Sequence, residues 1–287
     1  MENNTFNSEN LQNRFPGTRF LDNGIWSLAL STYGGQLLKA RHSSSVQDVI
    51  FLGKKASAAN GHSIRGGVPV CWPWFGASPV PGRPIQGFAR TAHWEVKEIG
   101  KDFIRMDLPS AAVPPELVDF PFELFTEIRL TDELELRLGM KNCGTSAAEI
   151  SCALHTYFAV SDIANVRISG LDGAAFEDRR ASAAQVTGHV QDGEVAVDAE
   201  VDRLYTSTTA DVIYSDLGTG RSILVEKLGS YSTVVWNPWI EKAKAMPDFG
   251  DQEFRKMICI EAANAGSDSR ILIPGVSHTL AQKITVL

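Results

Sequence analysis

Cysteine is scarce in this 287-residue chain, and what there is falls far apart: Cys71, Cys143, Cys152 and Cys259 show no Cys-x-x-Cys spacing. That disfavours a zinc site or a disulfide framework and leaves a reduced, cytoplasmic compartment as the expectation. Long apolar runs are missing too. None approaches the roughly 18 residues needed to span a membrane. The polar, acidic start Met1-Glu2-Asn3-Asn4-Thr5-Phe6 has neither the basic nor the apolar region of a signal peptide. Positive charge is in deficit, with 27 Lys and Arg against 34 Asp and Glu for a net charge of -7. A general nucleic-acid binder normally carries a basic face, so no nucleic-acid partner is expected. A local basic pocket is still compatible with that balance. Walker-type phosphate loops, Gly-x-Ser-x-Gly and His-Glu-x-x-His are all absent, which disfavours nucleotide hydrolysis, serine esterase chemistry and zinc proteolysis.

Helical periodicity is also scarce. The best helical candidates are 241–246 and 252–255, both short and beside proline or glycine. Strand signals dominate instead. Residues 94–99 and 103–108 alternate around Gly100-Lys101-Asp102, 122–130 and 134–141 flank Thr131-Asp132-Glu133, and 212–215 and 222–228 flank Leu217-Gly218-Thr219-Gly220. Further strands are expected at 150–160, 166–169, 233–236, 257–261, 270–273 and 282–286. Strand-turn-strand units without long helices between them exclude a doubly wound parallel sheet and predict an all-β, large antiparallel β-sandwich with few short helices. No repeat or low-complexity linker divides the chain, so one domain over 1–287 is expected, with residues 1–15 frayed.

Against that ordinary background one stretch stands out: Arg65-Gly66-Gly67-Val68-Pro69-Val70-Cys71-Trp72-Pro73-Trp74-Phe75-Gly76, followed by Gln86-Gly87-Phe88-Ala89-Arg90. Glycine and proline interrupt regular structure, so the segment must follow an irregular path. Arginine offers a planar fork for phosphate or carboxylate, and tryptophan a flat apolar face. The combination suits the wall of a pocket for a polar, anionic ligand with apolar faces, such as a sugar phosphate. Three further places could carry chemistry. His155, in Ala153-Leu154-His155-Thr156-Tyr157-Phe158, is either a buried structural histidine or a proton donor and acceptor. Glu261 closes an apolar run before small residues, as a solvated strand end or as a carboxylate at a pocket mouth. Asp202, beside Arg203, reads as a surface pair or as an acceptor for ligand hydroxyls. Trp236, in Val235-Trp236-Asn237-Pro238-Trp239, either caps the core or supplies a stacking face for a sugar ring.

Taken in order, the segments 64–76, 87–90, 154–158, 201–205, 235–241 and 260–264 resemble the hexose-6-phosphate mutarotases (glucose-6-phosphate 1-epimerases) of the aldose 1-epimerase superfamily. The resemblance implies a galactose-mutarotase-like supersandwich and an isomerase that interconverts the α and β anomers of a hexose 6-phosphate. It implies His155 as general acid and Glu261 as general base. Arg65 and Arg90 would contact the phosphate, and Asp202 the hydroxyls, with no metal or organic cofactor needed. The partner implied is a small-molecule sugar phosphate, with no nucleic acid and no membrane, bound by a chain expected to be monomeric. One position departs from the family pattern: Gln86 stands where members usually carry histidine, and glutamine can orient a sugar by hydrogen bonds but cannot titrate. Two alternatives stay open at this level, a mutarotase for unphosphorylated aldoses and a non-catalytic sugar-phosphate binder.

Overall fold

The computed structural model describes residues 6–59, 61–180, 182 and 184–287. Two eight-stranded antiparallel sheets form the body of the molecule. One runs in the order Val166–Ser169, Val212–Asp216, Arg221–Leu228, Ser277–Val286, Leu134–Asn142, Phe122–Leu130, Phe103–Asp107 and Glu95–Ile99. Its central strands alternate as expected of a sheet with one wet face: Leu134, Leu136, Leu138 and Met140 point inward while Glu135 and Arg137 do not. The hairpins expected from the turn residues are present, with Phe122 opposite Asn142 and Val212 opposite Val225.

The second sheet carries the site. Its order is His189–Val190, Ala175–Asp178, Val201–Tyr205, Ser232–Asn237, Met257–Asn264, Cys152–Leu154 and Val70–Cys71, with Tyr157–Ala159 also paired to Met257–Asn264. Met257–Asn264 is buried at all eight positions because both its faces are covered. Glu261 therefore lies inside a strand and does not end one. The expected continuous strand over 150–160 is likewise divided, into Cys152–Leu154 and Tyr157–Ala159. The break falls at His155 and Thr156, where Thr156 N–H donates to Leu154 C=O at 2.9 Å and His155 N–H turns aside to Pro69 C=O at 3.0 Å.

The two sheets enclose one hydrophobic cluster reaching from Leu21 to Ile284. Trp72, Tyr157, Phe158 and Tyr214 are among its fully buried side chains. Each such aromatic removes 150–250 Å² from water, about 4–6 kcal/mol as an upper bound. A three-stranded sheet of Arg19–Asp22, Trp26–Ser31 and Gln36–His42, and a two-stranded one of Ala148–Ile150 and Arg270–Leu272, complete the strands.

Of the two helical candidates, 241–246 corresponds to a two-turn helix over Trp239–Ala245 and 252–255 to a 3₁₀ turn over Glu253–Lys256. The N-terminal expectation needs correcting. Residues 1–5 lie outside the described part, but Ser8–Arg14 is a helix and not a frayed end. Asn7 caps it by accepting from Asn10 N–H, and Leu11 and Phe15 are buried in a second, smaller cluster. Arg14 then ties it down by donating to the Gly53, Lys54 and Ala56 carbonyls. Among the described residues, no helix is long and apolar enough to cross a membrane.

Candidate active site

His155 and Glu261 meet on the site sheet. The turn at His155 lifts its imidazole out of the ladder. The ring stacks on Tyr157 at 4.9 Å and 12°, with the edges of Trp236 and Phe75 closing around it at 5.8 and 6.5 Å. Its Nδ1 lies 3.1 Å from Glu261 Oε1. The contact is close but is not a hydrogen bond, and among the described residues His155 Nδ1 and Glu261 Oε2 are both buried without a hydrogen-bond partner. Two titratable groups with unspent hydrogen-bonding capacity, side by side in a core, are costly unless they serve a ligand.

Burial sets their protonation. It pushes Glu261 well above the usual carboxylate range, helped by the nearby Asp202 and opposed by Arg179. It pushes His155 down to about 3, with Arg90 and Arg65 adding to the fall. Burial thus disfavours charge on both groups, and in their uncharged form, neutral imidazole and protonated carboxyl, the pair holds one movable proton. Cys259, two residues before Glu261 on the same strand face, completes a set of donor atoms within 4.8 Å of one another, the one group among the described residues that could hold a metal. Burial raises the Cys259 thiol well above its ordinary range, so it sits there as a protonated, apolar neighbour.

Beside this pair opens a cavity of about 510 Å³ whose lining includes Ser57, His62, Ser63, Arg65, Arg90 and Asp248. His155 and Glu261 do not line it; Arg65 joins the two regions. Its Nη1 donates to the Tyr157 hydroxyl at 3.1 Å while Nε and Nη2 grip Asp248 at 3.1 Å. Burial alone would pull the Arg65 guanidinium down, but Tyr157 and Asp248 outweigh it and hold it charged. Arg90 sits on the 3₁₀ turn Ala89–Thr91, donates from Nη2 to Ile85 C=O at 3.0 Å, and keeps a buried Nε without a hydrogen-bond partner among the described residues. The glycines of the motif make this geometry possible. Gly67 has φ +71°, and a Cβ there would lie 2.3 Å from Leu37 O; Gly87 has φ +74°, and a Cβ would lie 2.0 Å from Trp72 O.

The other expected site residues divide. Asp202 faces the site from Val201–Tyr205, opposite Trp236 in register and 3.8 Å from Lys242 Nζ. Burial raises its carboxyl despite Lys242 and Arg179. It is not paired with Arg203, because neighbours on a strand point to opposite faces; Arg203 instead lies over Phe176 and donates to Gln191. Trp236 is 8% exposed and meets His155 and Tyr157 edge-on, so it buttresses the imidazole and offers little open face for stacking. Gln86, at φ +63°, spends its Oε1 on Gly76 N–H at 2.9 Å and so clasps the Trp74-Phe75-Gly76 loop. Tyr157 and Asp248 were missed in the sequence. Tyr157 was visible as the residue two after His155, hence on the same strand face. Asp248, 183 positions from Arg65, left no local signal.

The sequence matches the aldose 1-epimerase family over residues 20–285. It is 33% identical over 245 residues to a protein from Cenchrus ciliaris named "Putative glucose-6-phosphate 1-epimerase", covering 80% of this chain and 73% of that one. A protein of the same name from Escherichia coli K12 is 32% identical over 244 residues, covering 84% and 80%. Among solved structures, "a putative mutarotase" from Salmonella typhimurium superposes with a TM-score of 0.84 at 27% identity, over 93% of this chain and 89% of that one. A family match across nearly the whole sequence, carried on the same sandwich, makes this chain a member of the aldose 1-epimerase family.

Proposed function

We propose that the protein is a hexose-6-phosphate 1-epimerase, interconverting the α and β anomers of a sugar such as glucose 6-phosphate. The observation that carries this reading is the His155–Glu261 pair at 3.1 Å beside a cavity bearing Arg65 and Arg90. Anomer exchange requires opening the hemiacetal and closing it on the other carbonyl face. One group must protonate the ring oxygen while another removes the C1 hydroxyl proton.

A phosphate held by Arg65 and Arg90 offsets the two cations that depress His155 and moves the pair's proton from Glu261 to the imidazole. The imidazolium then protonates the ring oxygen as the Glu261 carboxylate takes the C1 hydroxyl proton. The ring opens to the aldehyde and the pair becomes uncharged again. Rotation about C1–C2 presents the opposite face, and closure reverses both transfers. Each group contributes about 10²–10⁴-fold. The phosphate is unchanged; it anchors and orients the ring. Asp202 serves the hydroxyls, and Gln86 shapes the rim by fixing the Gly76 loop. The continuous core supports residues 1–287 acting as one domain, and the four free cysteines support a reduced, cytoplasmic setting.

Asp248 already neutralises Arg65, which favours as second reading a mutarotase for uncharged aldoses. Exchange NMR on glucose 6-phosphate and glucose separates the two. Faster kcat/KM for the phosphorylated sugar supports the first reading and equal values the second. Binding of glucose 6-phosphate without faster exchange would leave a sugar-phosphate binder and overturn both.

A further inference from the structure

Gln282 belongs to Ser277–Val286, in the sheet opposite the site, yet its side chain reaches through the core to the backbone that carries the acid and the base. It is 1% exposed. Its Oε1 accepts from the Thr156 hydroxyl, and its Nε2 donates to Ile260 C=O at 2.9 Å. Thr156 follows His155 and Ile260 precedes Glu261. The amide orientation follows from its partners, because a carbonyl such as that of Ile260 can only accept. The same two residues also meet directly, Ile260 N–H donating to Thr156 C=O at 3.2 Å. One buried amide therefore closes a ring around the point where the strand breaks to expose His155.

An apolar residue would fill this volume at lower cost. A primary amide taken out of water costs several kcal/mol unless its hydrogen bonds are met, and the surrounding strand positions Leu280, Ala281 and Ile284 are apolar. Volume alone does not account for glutamine here. The Thr156 turn does account for it: Thr156 spends its N–H on Leu154 in a tight turn, and its hydroxyl is held from the opposite layer.

Building on the assignment of His155 and Glu261 as the reacting groups, we propose that Gln282 is a positioning residue that sets the relative placement of the proton donor and acceptor through Thr156 and Ile260. It touches neither group and acts only through their neighbours. Misplacement of reacting groups by about 1 Å costs on the order of 10²-fold in rate.

The test uses full-length Gln282→Met, Thr156→Val and Thr156→Ser. In Gln282→Met and Thr156→Val, kcat for glucose 6-phosphate falls about 10- to 100-fold with KM within twofold of wild type. Thr156→Ser, which keeps the hydroxyl, retains wild-type kcat. The double variant Gln282→Met/Thr156→Val is no slower than the worse single one, as for two ends of a shared bond. In parallel, the NMR shifts of the His155 imidazole move in Gln282→Met and Thr156→Val and stay in place in Thr156→Ser. That readout decides the positioning even if the wild-type protein proves to have no epimerase activity, in which case only the functional reading falls. Should Gln282→Met not fold, the Thr156 pair alone decides. Wild-type kcat and unmoved imidazole shifts in the folded variants overturn the proposal.

Discussion

Arg65 is the residue whose loss should separate substrate anchorage from chemistry. Replacing it with Met keeps much of the apolar stem and removes the guanidinium that bridges Tyr157 and Asp248. One charge-assisted hydrogen bond to a phosphate is worth about 1.5–3 kcal/mol. At 1.4 kcal/mol per factor of ten, the KM for glucose 6-phosphate should rise about 10- to 150-fold. Asp248 is left lining the cavity without its cation, so part of that rise is repulsion, about 1 kcal/mol after solvent screening of a group that is one-third exposed. Arg65→Met/Asp248→Asn should therefore recover about fivefold relative to Arg65→Met. The orphaned Tyr157 hydroxyl costs about 1–3 kcal/mol of stability in both variants. Anomer exchange is read by two-dimensional NMR on ¹³C1-labelled sugar, with glucose and glucose 6-phosphate run side by side. Equal slowing of the two sugars by Arg65→Met would refute the assignment of Arg65 to the phosphate.

Other consequences can be checked in the same preparations. Inorganic phosphate should raise the His155 imidazole from its position near 3 by offsetting Arg90 and Arg65, and an NMR titration in which phosphate leaves it unmoved contradicts the coupling. In denaturant melts against pH, two effects oppose. The raised Glu261 stabilises the fold below its unfolded value of 4.5 and less as pH rises, whereas the lowered His155 stabilises above 6.5 and less as pH falls. Glu261→Gln removes the first effect, so that variant should lose about 2–3 kcal/mol between pH 6.5 and about pH 4.5, and a steeper loss in wild type would reverse the assigned signs. Gly87→Ala forces a Cβ to 2.0 Å from Trp72 O at φ +74° and should cost roughly 3 kcal/mol or more, or displace Arg90; a wild-type Tm with wild-type KM is the contrary result.

The all-β architecture was legible because Phe122–Leu130 and Leu134–Asn142 alternate around turn residues, as Val212–Asp216 does before its own turn, and sheets with one wet face write that alternation into the sequence. The N-terminal strands were not legible, because Trp26–Ser31 and Gln36–His42 are buried on both faces for much of their length and lose the period of two. The same effect hid the true extent of Met257–Asn264 and made Glu261 look like a strand end. His155 stood out as a polar residue in an apolar run, yet the turn that frees it from the ladder depends on Pro69 and on Gln282, more than 80 and 120 residues away. The unusual composition of 65–90 singled out Arg65 and Arg90, and the resemblance implied their role, but neither revealed that Asp248 shares Arg65 or that Gln86 is occupied with Gly76. Local pattern reaches residue types and strand periods; the partner of a buried charge is a tertiary fact.

The central claim is that His155 and Glu261 move the protons of anomer exchange, and saturation-transfer NMR on α- and β-glucose 6-phosphate measures that directly. Wild-type protein should accelerate exchange over buffer, and His155→Gln and Glu261→Gln should each lower kcat about 10²–10⁴-fold while binding of the sugar phosphate stays within a few-fold. Near wild-type exchange in both folded variants would contradict it.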